Sequence, residues 1–303
     1  LIVKNSCADK VFFANSGAEA NEGAIKLARL YFKKKGYPNK IEIITLEKSF
    51  HGRTLATIAA TGQDKYQKPY CPLTPKFLKV PINDLKALEQ AICENTCAVM
   101  LEPIQGESGV NPTTYEYMKG VRRLCDENEI LLIFDEVQCG LGRTGKLFGY
   151  QHYGIEPDIF TLAKALGGGF PIGALCAKEH AAKAFEPGDH GSTFGGNPLA
   201  CSTAYAVLST IINDKLCEHA EETGNYFFNK IESVKIKHPV ISEVRGRGLM
   251  IGIQFGKPIA KEVNKKCFDN KYLLGTVGDS ILRLLPPLIT TKADMDGLVE
   301  MLD

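Results

Sequence analysis

Ile130-Leu131-Leu132-Ile133-Phe134-Asp135 is an unbroken apolar run that ends on an acid. No polar residue alternates within it, so it does not read as a strand with one wet face. It reads as a strand buried on both faces of a sheet. Ala98-Val99-Met100-Leu101, followed by Glu102, has the same form. Around these two, short β-branched or aliphatic runs alternate with longer helical patterns. Strands are expected at residues 11–14, 41–46, 158–162 and 173–177, and helices at 18–35, 85–93 and 115–128. This alternation predicts an α/β fold with helices on both faces of the sheet. From about Leu199 the rhythm changes to two long helical stretches (199–213 and 216–231), a strand at 248–255 and a short final α/β passage. The expected division is a large domain over 1–210 and a smaller C-terminal α/β domain over 211–303.

Composition narrows the function. The chain has 303 residues, 44% hydrophobic and 23% charged, with a net charge of +1, so no global field recruits nucleic acid or an anionic membrane. The one tight basic run, Lys33-Lys34-Lys35, closes an expected helix, where cations suit the dipole. Ten cysteines and six histidines are scattered without CxxC, HxxxH or HExxH spacing, so no metal site is expected. Cysteines used in this way suit a reducing compartment, and no apolar run is long enough to span a bilayer. With no signal-peptide pattern at the start, a cytoplasmic location is expected. The opening Leu1-Ile2-Val3-Lys4 is already apolar and leads quickly into a strand, the expectation being that an N-terminal region precedes it.

The polar residues that matter fall at strand ends, where open α/β sheets bind ligands. Glu102 and Asp135 end two apolar runs, and Lys164 follows a third. In Asn15-Ser16-Gly17-Ala18-Glu19, Ser16 and Glu19 have capping-box spacing. The amides of Gly17 and Ala18 can there face an anion at the positive helix end, although a plain helix start has the same spacing. Phe50-His51-Gly52-Arg53-Thr54 offers an aromatic surface and a carboxylate clamp, or equally a surface turn. His51 alone reads as a structural or stacking residue. In Asp135-Glu136-Val137-Gln138 the desolvated acid calls for a cation, either a protonated pyridine nitrogen or a basic side chain.

Gly140-Leu141-Gly142-Arg143-Thr144-Gly145 matches GxGxxG and, with Lys146, most of a Walker A loop. Leu147 replaces the hydroxyl residue after the lysine, and no helix is expected at Phe148-Gly149-Tyr150, so both readings are rejected. Ala163-Lys164-Ala165-Leu166-Gly167-Gly168-Gly169 places a lysine between an apolar strand and three glycines. Such a lysine is expected to be shielded, with a pKa lowered by burial that frees its amine to attack aldehydes. Gly191-Ser192-Thr193-Phe194-Gly195-Gly196-Asn197-Pro198 offers two hydroxyls in a glycine-rich loop, a flexible loop or a phosphate contact.

In this order the five motifs, with Glu102-Pro103-Ile104-Gln105-Gly106-Glu107, resemble the class III (ω-type) aminotransferases of PLP fold type I. The resemblance covers nearly the whole chain. It implies a mostly parallel seven-stranded sheet with a smaller C-terminal domain, and pyridoxal 5'-phosphate as cofactor. It implies that Lys164 holds the cofactor aldehyde and shuttles a proton, and that Asp135 pairs with the pyridine nitrogen. Phe50 and Val137 flank the ring, Gln138 reaches its hydroxyl, and Ser16, Gly17 and Ala18 hold the phosphate. Thr193 serves the neighbouring subunit's cofactor, so a homodimer with shared sites is implied. Arg53 and Ser192 contact substrate. Arg283, in Leu282-Arg283-Leu284-Leu285-Pro286-Pro287, pairs with Glu107 as a gate that closes for one substrate and opens for the other; Glu107 also reads as a solvated loop acid.

The expected reaction transfers the side-chain amine of N-acetylornithine to 2-oxoglutarate, giving N-acetylglutamate semialdehyde and glutamate, a step of arginine biosynthesis. Ornithine, succinyldiaminopimelate and 4-aminobutyrate are the alternative donors, and an aminomutase is the alternative reaction class. A nucleotide-binding regulator leaves the Asp135 and Lys164 pairing without a purpose.

Overall fold

A computed structural model describes residues 1–303 throughout. In chain order the first elements are β1 (Lys10–Ala14), α1 (Gly17–Lys34), β2 (Glu42–Leu46), α2 (Leu55–Ala60), α3 (Asp64–Gln67), β3 (Phe77–Val80) and α4 (Leu85–Ala91). Next come β4 (Thr96–Leu101), β5 (Ile104–Gln105), β6 (Asn111–Pro112), α5 (Tyr115–Glu127), β7 (Leu131–Asp135), β8 (Ile159–Leu162), β9 (Gly173–Ala177), α6 (Glu179–Ala182) and α7 (Pro198–Asn213). The last are α8 (Leu216–Lys237), β10 (Ile241–Arg247), β11 (Met250–Phe255), α9 (Ala260–Asp269), β12 (Gly275–Val277), β13 (Ile281–Leu284) and α10 (Lys292–Leu302). No helix is long and apolar enough to cross a membrane.

The chain divides into two compact units. Unit 1 is Leu1–Pro103, Thr113–Gln138 and Phe148–Ser209; unit 2 is Ile104–Pro112, Cys139–Leu147 and Thr210–Asp303. Unit 1 is built on a seven-stranded sheet of order β1-β9-β8-β7-β4-β2-β3. Only β9 runs against the others, pairing antiparallel with both β1 and β8. Along β4, β7 and β8 every side chain is buried, which is why these strands lack alternation. Ala98, Met100, Leu131, Ile133 and Ile159 form one core with Ile25, Leu27, Ala28 and Phe32 of α1. Each fully buried Leu, Ile or Phe there contributes roughly 1.5–3 kcal/mol. Helix α5 packs against β4 and β7.

β3 was not expected from the sequence. Phe77-Leu78-Lys79-Val80 is a four-residue edge strand with a mixed burial pattern, so its alternation is too short to stand out.

Unit 2 holds a four-stranded antiparallel sheet of order β10-β11-β13-β12, with a core that includes Phe227, Ile231, Ile251, Ile253 and Leu282. It also takes in two excursions that a single cut near residue 210 leaves in the large domain. The β5–β6 hairpin packs on β10, and Ile104, Val110, Cys139 and Met250 share a small core. The second excursion is held by Arg143, whose guanidinium donates to the carbonyls of Leu249 and Pro286. These partners lie more than a hundred residues away in the chain, beyond any local pattern.

Candidate active site

The acids and the lysine at three strand ends become neighbours because β4, β7 and β8 are adjacent in the sheet. Parallel pairing brings Glu102, Asp135 and Lys164 to one edge, where they line a cavity of about 440 Å³. Asn15, Ser16, Gly17, Ala18, Phe50, Arg53, Val137 and Gln138 line it too. The fold thus brings these sequence-predicted residues together in one cavity. Ser192 and Thr193 are not brought to this cavity; they line a separate cleft with Asn15, Glu19 and His190, and Asn15 Nδ2 donates to Ser192 Oγ at 3.0 Å.

Helix α1 aims its N-terminus at the cavity. Ser16 is its extended N-cap, and Ser16 Oγ accepts the Glu19 N–H at 3.2 Å. The reciprocal half of the expected box is displaced by one residue: Glu19 Oε2 accepts the backbone N–H of Asn15 at 2.7 Å. Gly17 and Ala18 follow, where first-turn N–H groups have no intrahelical acceptor. A Cβ on Gly17 would meet Val137 Cγ1 at 2.9 Å, so glycine lets the helix end close on the Asp135 strand end. A Cβ on Gly173 would meet the Ser16 carbonyl oxygen at 2.2 Å, so β9 also needs glycine to approach the cap.

Asp135, 3% exposed, is held on both oxygens. Asn21 Nδ2 and His51 Nδ1 each lie 2.8 Å from Oδ2, and the Val137 backbone N–H donates to Oδ1 at 3.1 Å. His51 takes the structural one of its two readings: Nδ1 holds Asp135, and Nε2 is buried without a partner. Glu102, 4% exposed, accepts the Phe50 backbone N–H at 3.0 Å and so sets the turn that presents Phe50 and Arg53. Arg53 lies with Cζ 4.0 Å from the Tyr66 ring centroid, a cation–π contact, and Tyr66 meets Phe50 edge-on.

Lys164 departs from expectation. It is exposed at the cavity wall, not shielded. It also has φ +46°, a left-handed backbone uncommon outside glycine, and opens a single 3-10 turn, Lys164–Gly167. Gly168 and Gly169, at φ +55° and +114°, turn the chain back at once, which leaves the side chain on the cavity mouth and not under a helix. Such strain on a non-glycine residue collects at functional sites.

The glycine-rich decoy also differs in one detail. A 3-10 helix, Gly149–Tyr153, does open where none was expected. Its first N–H groups are not available to a phosphate, because Glu136 accepts from Gly149 N at 2.8 Å and Tyr150 N at 2.7 Å. Burial pushes the Glu136 carboxyl up to about 7 against the lowering effect of those two N–H groups. An acid raised on folding binds its proton more tightly when folded. Its contribution is therefore full below about 4.5, falls as the unfolded chain ionises first, and is lost by about 7. Stability is expected to drop by roughly 3 kcal/mol across that window on this account. Denaturant midpoints at about pH 5 and pH 8 should show this, with a flatter response in Glu136→Gln; equal slopes for the two proteins would refute it.

In unit 2, Arg283 on β13 makes an ion pair with Glu107, Nη1 to Oε2 3.0 Å, and donates to the Gly106 carbonyl at 3.0 Å. The loop that carries Glu107 is tied down by Arg245 Nε, which donates to the carbonyls of Gly109 and Val110.

Pyridoxal 5'-phosphate asks a protein for an amine, an anion cradle and a partner for its ring nitrogen. The cavity in unit 1 offers Lys164, the amides that open α1 and the buried Asp135 carboxylate, with Phe50 and Val137 as apolar walls. The donor set fits. Asn21, Thr161 and Tyr66 were missed by sequence reasoning. Asn21 is a lone polar residue on the buried side of α1, and that is the one signal it carries.

The family described as Aminotransferase class-III matches residues 1–303. An acetylornithine aminotransferase of Caldanaerobacter subterraneus subsp. tengcongensis is 52% identical over 303 residues, 100% of this chain and 77% of that protein. One from Methanocaldococcus jannaschii is 52% identical over 305 residues, covering 100% of this chain and 76% of its own length. Among solved structures, the ornithine aminotransferase of Toxoplasma gondii, whose active site shows partial occupancy of PLP, superposes with TM-score 0.94. It is 34% identical and covers 99% of this chain and 73% of its own. The acetylornithine aminotransferase of Elizabethkingia anophelis has TM-score 0.87 and 36% identity, covering 99% and 74%. The chain belongs to the class III aminotransferases. It is a PLP-dependent aminotransferase.

Proposed function

We propose that this enzyme transfers the side-chain amine of N-acetylornithine to 2-oxoglutarate in two half-reactions, giving N-acetylglutamate semialdehyde and glutamate, in the cytoplasm. The observation that carries this reading is 52% identity over the whole chain to relatives that bear the acetylornithine name. Ornithine as donor is the second reading, favoured by the superposition on ornithine aminotransferases.

Bound in the cavity, PLP supplies an aldehyde for amine exchange and a ring that accepts electrons from the adjoining carbon. Lys164 would hold its aldehyde and, with its amine free, would carry the proton taken from the substrate carbon. Asp135 would partner its ring nitrogen, Gln138 its ring hydroxyl, and Phe50 and Val137 would keep water from the ring. Ser16, Gly17 and Ala18 bind the phosphate, joined by Thr193 of a second copy. Arg53 binds substrate at the α-carboxylate, and Ser192 of a second copy is the other substrate contact. Glu107 neutralises Arg283 while the first substrate is bound and releases it for the second carboxylate of glutamate.

The homodimer is part of this proposal. Phe194, Leu199 and Tyr205 expose 70%, 64% and 64% of their surface around the start of α7, an apolar patch that suits a partner. The placing of Ser192 and Thr193 outside their own chain's cavity supports the same reading.

The test is donor specificity. With PLP and 2-oxoglutarate, kcat/KM for N-acetylornithine should exceed that for ornithine, succinyldiaminopimelate and 4-aminobutyrate by about tenfold or more, a difference of ~1.4 kcal/mol in transition-state binding. A higher value for any rival donor would reassign the substrate. Turnover without any oxo acid would mark an aminomutase.

A further inference from the structure

We infer that Asn21 is a positioning residue that fixes which oxygen of Asp135 serves the cofactor ring nitrogen. The inference rests on the reading of Asp135 as the nitrogen's partner. Asn21 is 1% exposed, on the inner side of α1, four residues past Gly17. Both ends of its side chain are used. Thr161 Oγ1 on β8 donates to Asn21 Oδ1 at 2.7 Å, which sets the amide so that Nδ2 faces the other way. Nδ2 then donates to Asp135 Oδ2 at 2.8 Å and to the His51 carbonyl at 2.7 Å.

With Asn21 and His51 both on Oδ2, that oxygen is saturated. Oδ1 accepts the Val137 N–H and keeps a second lone pair, the one left for a pyridinium N–H. Asn21 holds Oδ2 with a neutral donor and brings no charge that would compete with the ring. It also joins the helix that cradles the phosphate to the acid that meets the nitrogen, so the two ends of the cofactor site are held by one side chain. Its neighbours leave the role to it: the Glu136 carboxylate is occupied by Gly149 and Tyr150, and Glu102 by Phe50.

The experiment uses PLP labelled with nitrogen-15 in the ring, bound to wild type, Asn21→Leu, Thr161→Val and Asp135→Asn. Two quantities are read: the ring-nitrogen chemical shift at neutral pH, which reports its protonation, and the rate of cofactor release. Wild type should show a protonated nitrogen. Asn21→Leu should move the shift towards the unprotonated value and speed release about tenfold. Thr161→Val, which only frees the amide to rotate, should move both in the same direction by less, and it decides the matter if Asn21→Leu does not fold. Wild-type shift and release rate in Thr161→Val and any folded Asn21→Leu would overturn the inference. An unchanged shift in Asp135→Asn would instead overturn the assignment of Asp135 itself, whatever Asn21 does.

Discussion

Replacing Lys164 with alanine is expected to lower kcat by about 10⁴-fold or more, the upper end of what a positioned proton-transfer group contributes. The same substitution removes the amine that attaches the cofactor, so the visible band of PLP joined to a lysine should vanish while free PLP is still retained. Both losses follow from placement. Lys164 is the lysine on the cavity wall, presented by a strained φ of +46° at the end of β8. The fold should survive, because the side chain is exposed and packs no core. Lys164→Arg keeps the charge and serves as the control: it too should lose the band and the activity. A band and a rate within tenfold of wild type in either variant would remove Lys164 from the mechanism.

The second large effect is expected at Asp135. Asp135→Asn should lower kcat by about 10²–10³-fold, the range seen when one preorganised electrostatic partner is removed. An amide places one acceptor and one donor where the carboxylate offered two acceptors. Asn21, His51 and the Val137 N–H then compete for a single oxygen, and a buried donor left unpaired costs about 1–3 kcal/mol. The variant should therefore melt earlier as well as turn over more slowly, whereas Lys164→Ala should do only the latter. Steady-state kinetics with thermal melts of the cofactor-free protein separate the two. A fully active Asp135→Asn would leave the buried acid as a structural group alone.

Much of the fold was legible because the sheet centre is buried on both sides. Ile130–Phe134 and Ala98–Leu101 announce strands by lacking alternation, and the observed strands end within a residue or two of the expected ones. Edge strand β3 did not announce itself, since a half-exposed strand of four residues carries little pattern. The site was legible wherever a motif combined glycine with an ionisable residue at a strand end. His51, Asn21 and Thr161 were not, because their roles rest on hydrogen bonds to residues far away in the chain: Asn21 to Asp135 spans 114 positions and Thr161 to Asn21 spans 140.

Local sequence set the strand ends that carry Glu102, Asp135 and Lys164, and the glycines at 17 and 168–169 that let backbone approach or turn there. Those are local properties, set by hydrophobic runs and by allowed dihedral angles. Tertiary structure alone decided that β4, β7 and β8 lie side by side, so that three separate strand ends line one cavity. It alone decided that Lys164 stands exposed and that Glu136 closes off the glycine-rich decoy. It also turned the carboxylate of Asp135 so that Asn21 and His51 hold one oxygen and leave the other its remaining lone pair. Strand order and hydrogen bonds between distant residues come from packing the whole core at once, and no local window of residues contains that information.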